Sequence, residues 1–129
     1  MNRQSRIEAA GRATERRRRE NAAPRLQELV SRIASLRLDI EEYRREATEP
    51  QVRYTRHIVI ERAPALFNLG CTDADCTDGG HDVTSMIMGA LRNSSTDFTG
   101  EDRCYGNRYG QTCGSRLTYR AHATYSPKV

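Results

Sequence analysis

The sequence predicts an α+β protein in which a long amphipathic, coiled-coil-like helix precedes a small zinc-stabilised domain. Three observations lead to this fold class. Apolar residues recur at helical spacing through residues 25–49, and β-branched or alternating stretches follow within residues 51–129. All four cysteines of the 129-residue chain also lie in that second part. Together with a basic arm over residues 1–24, this gives three expected segments.

The arm carries the entire net charge of +4. Residues 1–24 contain seven arginines and three glutamates, whereas the rest of the chain has equal numbers of basic and acidic residues. We expect this segment to be partly disordered or helical. Its run Arg16-Arg17-Arg18-Arg19 is suited to neutralising the phosphates of nucleic acid or an acidic protein surface. The alternative is a solvated helix start that only aids solubility.

The predicted helix of residues 25–49 rests on a heptad pattern. Pro24 suits a first helical position, and Pro50 ends the segment. Between them, steps of three and four residues alternate without a break through Leu26, Leu29, Ile33, Leu36, Ile40 and Tyr43. This register predicts a seam that joins two copies of the chain into a dimer. The alternative is a helix that folds back onto the C-terminal domain as part of its core.

Four elements are predicted within residues 51–129. Residues 52–61 are rich in β-branched side chains and form a strand, and residues 116–125 alternate strictly between apolar and polar side chains, which predicts another strand. A helix over residues 83–92 begins after Asp82, whose side chain can cap it. A third strand runs through residues 98–104. The simplest assembly is an antiparallel sheet with the helix on its apolar side.

The opposite side of that sheet is expected to be polar and basic. Arg116 and Arg120 stand at alternate positions of the last strand and would lie on this face. We therefore expect both side chains to contact phosphates. The alternative is an ordinary solvated sheet face, since the stacking aromatics of many single-strand RNA surfaces are missing from it.

The cysteines predict a structural zinc site. Cys71 and Cys76 precede the predicted helix, Cys104 and Cys113 follow it, and four thiolates can surround zinc as a tetrahedron. A small domain with Gly-rich and Asp-rich loops buries little apolar surface, so a metal that closes the loops would stabilise it. His81 is a possible substitute for one thiolate. Two disulfides are the competing interpretation and require an oxidising compartment.

A metal-dependent hydrolase is the less favoured interpretation of the same region. Asp78 and Asp82 flank His81, so a metal held by Cys76 and His81 would have a carboxylate near a bound water. The spacing matches no specific catalytic signature. We therefore expect a protein that is not an enzyme.

No apolar run approaches the roughly 18 residues of a membrane span, and the Arg-rich start lacks the apolar segment of a secretory signal. We expect a cytoplasmic protein without a membrane partner. The sequence favours a homo-oligomeric, non-enzymatic binding module that contains zinc and contacts nucleic acid through its arm. The alternative is a protein–protein adaptor or assembly subunit that uses the heptad helix to bind another chain.

Overall fold

A computed structural model of the chain describes residues 14, 15 and 17–127, and β structure dominates this part. Residues 1–13, Arg16, Lys128 and Val129 lie outside the described residues, and with them most of the predicted basic arm. Three short helices occur in the described part: α1 over residues 14, 15 and 17–22, α2 over Leu26–Leu29 and α3 over Thr84–Arg92.

Nine strands are described in the same part of the chain. Four of them are longer than two residues: β1 (Ile33–Tyr43), β2 (Val52–His57), β6 (Asp97–Arg103) and β9 (Arg116–Tyr125). Five have two residues each: β3 (Asn68–Leu69), β4 (Cys76–Thr77), β5 (His81–Asp82), β7 (Asn107–Arg108) and β8 (Gln111–Thr112).

The four longer strands form one antiparallel sheet in the order β2-β1-β9-β6. Strand β1 is therefore an inner strand, hydrogen-bonded to β2 on one side and to β9 on the other. The two-residue strands form two small sheets, β3-β5 and β4-β7-β8. These small sheets carry the loops that contain the cysteines.

The predicted long N-terminal helix is wrong, because residues 33–43 form strand β1. Leu36, Leu38 and Ile40 alternate with polar residues, and all three side chains are buried in the core. The heptad pattern has no place for Leu38, whereas strand pairing buries it completely. The chain is thus a mixed but sheet-dominated small domain, and the described residues contain no coiled-coil helix.

Several elements of the predicted C-terminal domain are present. Strand β9 covers the predicted residues 116–125, β6 lies one residue before the predicted third strand, and α3 begins at Thr84. The N-cap residue is Val83 rather than Asp82, and the Asp82 carboxylate accepts a hydrogen bond from the Thr84 N–H at 3.1 Å in the turn before the helix. Strand β2 ends at His57, earlier than predicted.

The core lies between one face of the main sheet and α3. Alternate residues of β9 belong to it, and α3 contributes Ile87, Met88 and Leu91. Glu42 continues the inward-facing series of β1 and is completely buried. It pairs with Leu117 on β9, and Leu117 pairs with Asp102 on β6. Two carboxylates therefore stand on the core side at one end of the sheet.

The strand assignment predicts opposite outcomes for two leucines of the heptad region. Leu38→Ala removes a completely buried side chain and should lower the free energy of unfolding by about 3 kcal/mol. Leu29 is 42% exposed, so Leu29→Ala should change it by less than about 1 kcal/mol. Urea unfolding of both variants measures the difference. A larger change in the free energy of unfolding for Leu29→Ala than for Leu38→Ala would contradict the strand assignment and favour the heptad helix.

Candidate metal centre

The four cysteines reach one place from four different segments. Cys71 follows β3, Cys76 begins β4, Cys104 follows β6 and Cys113 follows β8. The main sheet positions the last two, because the Cys104 N–H donates to the Ser115 carbonyl at 2.8 Å just beyond the β6–β9 pairing. The small sheet then brings Cys76 opposite this hairpin through its pairing with β7.

The sulfur atoms are spaced as a tetrahedral metal requires. Cys71 Sγ lies 3.8 Å from Cys113 Sγ, and Cys76 Sγ lies 3.6 Å from Cys104 Sγ. All four Sγ atoms lie within 4.8 Å of one another. A tetrahedron with metal–sulfur bonds of about 2.3 Å has sulfur atoms about 3.8 Å apart. The four residues are free thiols and fit a metal site, which the sequence predicted from them.

Two glycines let the backbone approach the sulfur atoms. A Cβ at Gly79 would overlap the sulfur atoms of Cys76 and Cys104. A Cβ at Gly106 would overlap Cys76 Sγ and would lie 2.6 Å from Gly79 Cα. The two turns therefore pack against each other directly behind the sulfur cluster. No other residue type fits these two positions without displacing the cysteines.

Backbone and hydroxyl groups hydrogen-bond the sulfur atoms of the second cysteine pair. The Gly106 N–H donates to Cys104 Sγ at 3.3 Å, and the Ser115 hydroxyl lies 3.2 Å from Cys113 Sγ. The Cys113 N–H donates to the Gly106 carbonyl at 2.7 Å and so closes the intervening loop. Donors of this kind stabilise thiolates and orient metal-bound sulfur.

Without a metal the cluster resists multiple ionisation. Burial is the main cause of the raised pKa of Cys71, and the negative charge of the nearby Glu42 carboxylate raises this pKa further. Burial and the hydrogen bond with Cys104 raise the pKa of Cys76 to about 12. Burial alone would raise the pKa of Cys113, but hydrogen bonds with Ser115, Cys76 and Cys71 together lower it. Metal binding must displace protons from these thiols, so metal affinity rises with pH.

A buried aspartate fixes the first cysteine loop. The Arg108 guanidinium donates to Asp73 at 2.9 Å, Arg44 lies 3.8 Å from the same oxygen, and the Asp75 N–H donates to the other oxygen at 3.0 Å. Asp73 thus ties the Cys71–Cys76 loop to β7 and to the end of β1. Asp78, a candidate base in the hydrolase interpretation, adopts a left-handed backbone with φ of 58° in the turn before Gly79.

His81 lies beside the four-sulfur set and is completely buried. Its Nδ1 is 3.1 Å from an Asp102 oxygen, and one of its ring nitrogens lies within 4.8 Å of donor atoms of Glu42 and Cys71. Sequence reasoning missed Glu42 and Asp102. The available signal was the alternation of Leu36, Leu38 and Ile40, which continues to position 42 and places a carboxylate where an apolar residue is expected.

The arginines proposed to contact nucleic acid lie on two separate elements. On α1, Arg18 and Arg19 bond Glu15 at 2.7 and 3.3 Å, while Arg17 is exposed. Arg16 lies outside the described residues. On β9, Arg120 is exposed, whereas the Arg116 guanidinium stacks on the Tyr43 ring at 4.5 Å.

The sheet face around Arg120 is mixed in charge rather than basic. Asp39 on β1 pairs with Arg120, and its carboxylate lies 3.4 Å from His122. His122 also bonds Asp97 on β6 at 2.6 Å. Asp39 belongs to β1, which was predicted as a helix, and Asp97 immediately precedes the predicted third strand. A phosphate on this face would be repelled by the Asp39 and Asp97 carboxylates. The case for Arg116 and Arg120 as phosphate contacts is therefore weaker than the sequence suggested.

The predicted seam residues have other positions in this fold. Leu26, Ile33, Leu36 and Ile40 are buried in the core of the chain itself. Leu29 is exposed and Tyr43 is half-buried under Arg116. The seam that motivated a dimer is therefore not available on the surface of the described residues.

Comparison with protein-family models, with curated proteins and with solved structures found no match for the chain. Among the described residues, no helix is both long and apolar enough to cross a lipid bilayer.

The two turn glycines offer a direct test of the sulfur packing. Gly106→Ala should abolish metal binding and lower the melting temperature, because the added methyl group overlaps Cys76 Sγ. Gly89→Ala is the matched control, since a Cβ there meets nothing within 4 Å and the change should stabilise α3 by about 0.5–1 kcal/mol. Metal content and thermal unfolding are measured together. A Gly106→Ala protein with full metal content would contradict the geometry.

Proposed function

We propose that the chain is a non-enzymatic binding module whose fold is held together by a structural zinc ion bound to Cys71, Cys76, Cys104 and Cys113. The observation that carries this proposal is the convergence of four free thiols within 4.8 Å of one another. A set of four thiolates leaves no open coordination position, which is typical of structural rather than catalytic zinc.

The distribution of apolar residues supports a structural role for the ion. Residues 70–82 and 104–115 contain only two-residue strands, and few apolar side chains there reach the core. Little else holds these loops against the entropy of the unfolded chain, so an ion that joins them contributes directly to folding. Tetrahedral sulfur sites select zinc or iron. Zinc needs no redox partner, and a metal kept on four thiolates suits a reducing compartment such as the cytoplasm.

Metal analysis tests this proposal. Protein purified without a polyhistidine tag should contain zinc, and Cys76→Ser and Cys113→Ser should each lose it. A strong chelator should unfold the wild-type loops and expose four reactive thiols, more readily at pH 6 than at pH 8 because protons compete for the sulfur atoms. Iron found in place of zinc would contradict the proposed identity of the metal but not its structural role. A fully folded protein without any metal would overturn the structural role.

We propose further that the Arg-rich segment contacts a polyanion, with nucleic acid as the partner. Arg18 and Arg19 are 74% and 61% exposed, so phosphates can reach them. Helix α1 borders a groove of about 310 Å³ whose lining includes Glu20, Arg56 and Arg62. Arg56 and Arg62 are exposed, which extends the positive surface beyond the segment itself. This function does not require the heptad seam.

Salt-dependent binding tests the polyanion proposal. Replacing Arg17, Arg18 and Arg19 by Ala should weaken binding to mixed-sequence duplex DNA and single-stranded RNA. It should also reduce the slope of log affinity against log salt by about 0.9 per lost contact on duplex DNA. The control replaces Arg37, Arg53 and Arg92, which removes the same charge from the sheet and α3. Equal losses in the two triple variants would leave only a net-charge effect and contradict a defined contact surface.

A further inference from the structure

A second cluster of metal-ligating groups lies directly beside the four sulfur atoms. It consists of Glu42, Cys71 and His81, and one donor atom from each residue lies within 4.8 Å of the others. Glu42 and His81 are completely buried. Cys71 belongs to both sets, so the two clusters share one sulfur atom.

The orientation of His81 is that of a metal ligand. Its Nδ1 lies 3.1 Å from Asp102 Oδ2, and a carboxylate on one ring nitrogen is the usual partner of a histidine that binds metal through the other. Its Nε2 is buried and has no hydrogen-bond partner among the described residues. A buried polar atom without a partner is costly, and a metal ion at Nε2 would remove that cost.

The sheet register explains how the ring reaches the cluster. Glu42 and Asp102 both pair with Leu117, one from each side, so they stand on the same face two strands apart. His81 contacts Asp102 through Nδ1, and a ring nitrogen lies near a Glu42 oxygen and Cys71 Sγ. His81 therefore contacts the carboxylate on β6 and also lies close to the carboxylate on β1.

The distances and charges in the cluster suit a second dication. Glu42 Oε1 lies 3.4 Å from Cys71 Sγ, and an oxygen and a sulfur bound to one tetrahedral zinc ion are about 3.5 Å apart. Once Cys71 binds metal as a thiolate, it faces the Glu42 carboxylate at this short distance. Among the described residues, Glu42 also contacts one cation, the Arg44 guanidinium at 3.2 Å. A cation between the carboxylate and the thiolate compensates both charges.

We propose that Glu42, Cys71 and His81 bind a second divalent ion of the zinc class, with the Cys71 sulfur bridging the two ions. This inference rests on the proposed function, because Cys71 must already belong to a metal centre. The second Glu42 oxygen or a water molecule completes the coordination shell. Because Glu42 and His81 are inaccessible, this ion is structural and not open to a substrate.

Metal stoichiometry tests the inference. Wild-type protein is reconstituted with zinc alone, dialysed against metal-free buffer and analysed by mass spectrometry of metals, with cobalt titration as a second measurement. We expect two ions per chain and two cobalt equivalents with distinct spectra. His81→Gln and Glu42→Gln should each retain one ion. His122→Gln is the matched control, because His122 also bonds a carboxylate through Nδ1 but lies on the outer face of the sheet. It should retain two.

The outcomes separate the two proposals. No ion in the wild-type protein overturns the proposed function, whereas a single wild-type ion overturns only this inference. If the wild-type protein and the His81→Gln variant both bind two ions, the second ion lies elsewhere, and its assignment to Glu42, Cys71 and His81 is wrong. If a variant fails to fold, the number of zinc ions and of cobalt equivalents bound by the wild-type chain still shows whether a second ion is present.

Discussion

The structure depends on bringing four sulfur atoms together at one end of a small sheet. The main sheet and α3 supply an ordinary apolar core, but that core ends where Glu42 and Leu117 meet. Beyond this point the chain consists of loops and two-residue strands. Their backbone is held by a few hydrogen bonds and by the packing of Gly79 against Gly106 behind the cysteines. The sulfur cluster is the feature that these loops share, because together they bring all four cysteines to it.

The sheet and the cluster are linked through β6 and β9. Their pairing ends at Arg103 and Arg116, and the segment between them carries both Cys104 and Cys113. The Cys71–Cys76 loop on the other side is fixed by Asp73, which bonds Arg108 at 2.9 Å. The segment between β6 and β9 thus presents two sulfur atoms, and the Cys71–Cys76 loop brings the other two to it. This division explains why the glycines lie where these two parts meet.

Much of the C-terminal half was predictable from the sequence, because its strongest signals are local. Strict alternation over residues 116–125 fixed β9, and Asp82 marked the start of α3. The cysteines predicted one metal set because two pairs bracket the predicted helix within a small, loop-rich region, although two disulfides were the competing interpretation. Residues 33–43 were predicted as a helix rather than a strand because Leu36 and Ile40 fit both the heptad spacing of a helix and the two-residue alternation of a strand. Leu38 was the discriminating residue, and long-range pairing with β2 and β9 decided the conformation. Such pairing cannot be read from one segment alone.

The same error concealed the groups next to the sulfur cluster. In a helical register Glu42 stands on a solvated face, and nothing draws attention to it. In the strand register it occupies a core position, where an unpaired carboxylate is unfavourable. The structure gives it the Thr72 N–H at 3.2 Å, the Arg44 guanidinium at the same distance, and the Cys71 thiol. The Glu42 carboxylate, the Cys71 sulfur and a His81 ring nitrogen lie within 4.8 Å of one another in one polar region. The polar end of the core is therefore continuous with the four-sulfur cluster, so a charge bound at either place would act on both.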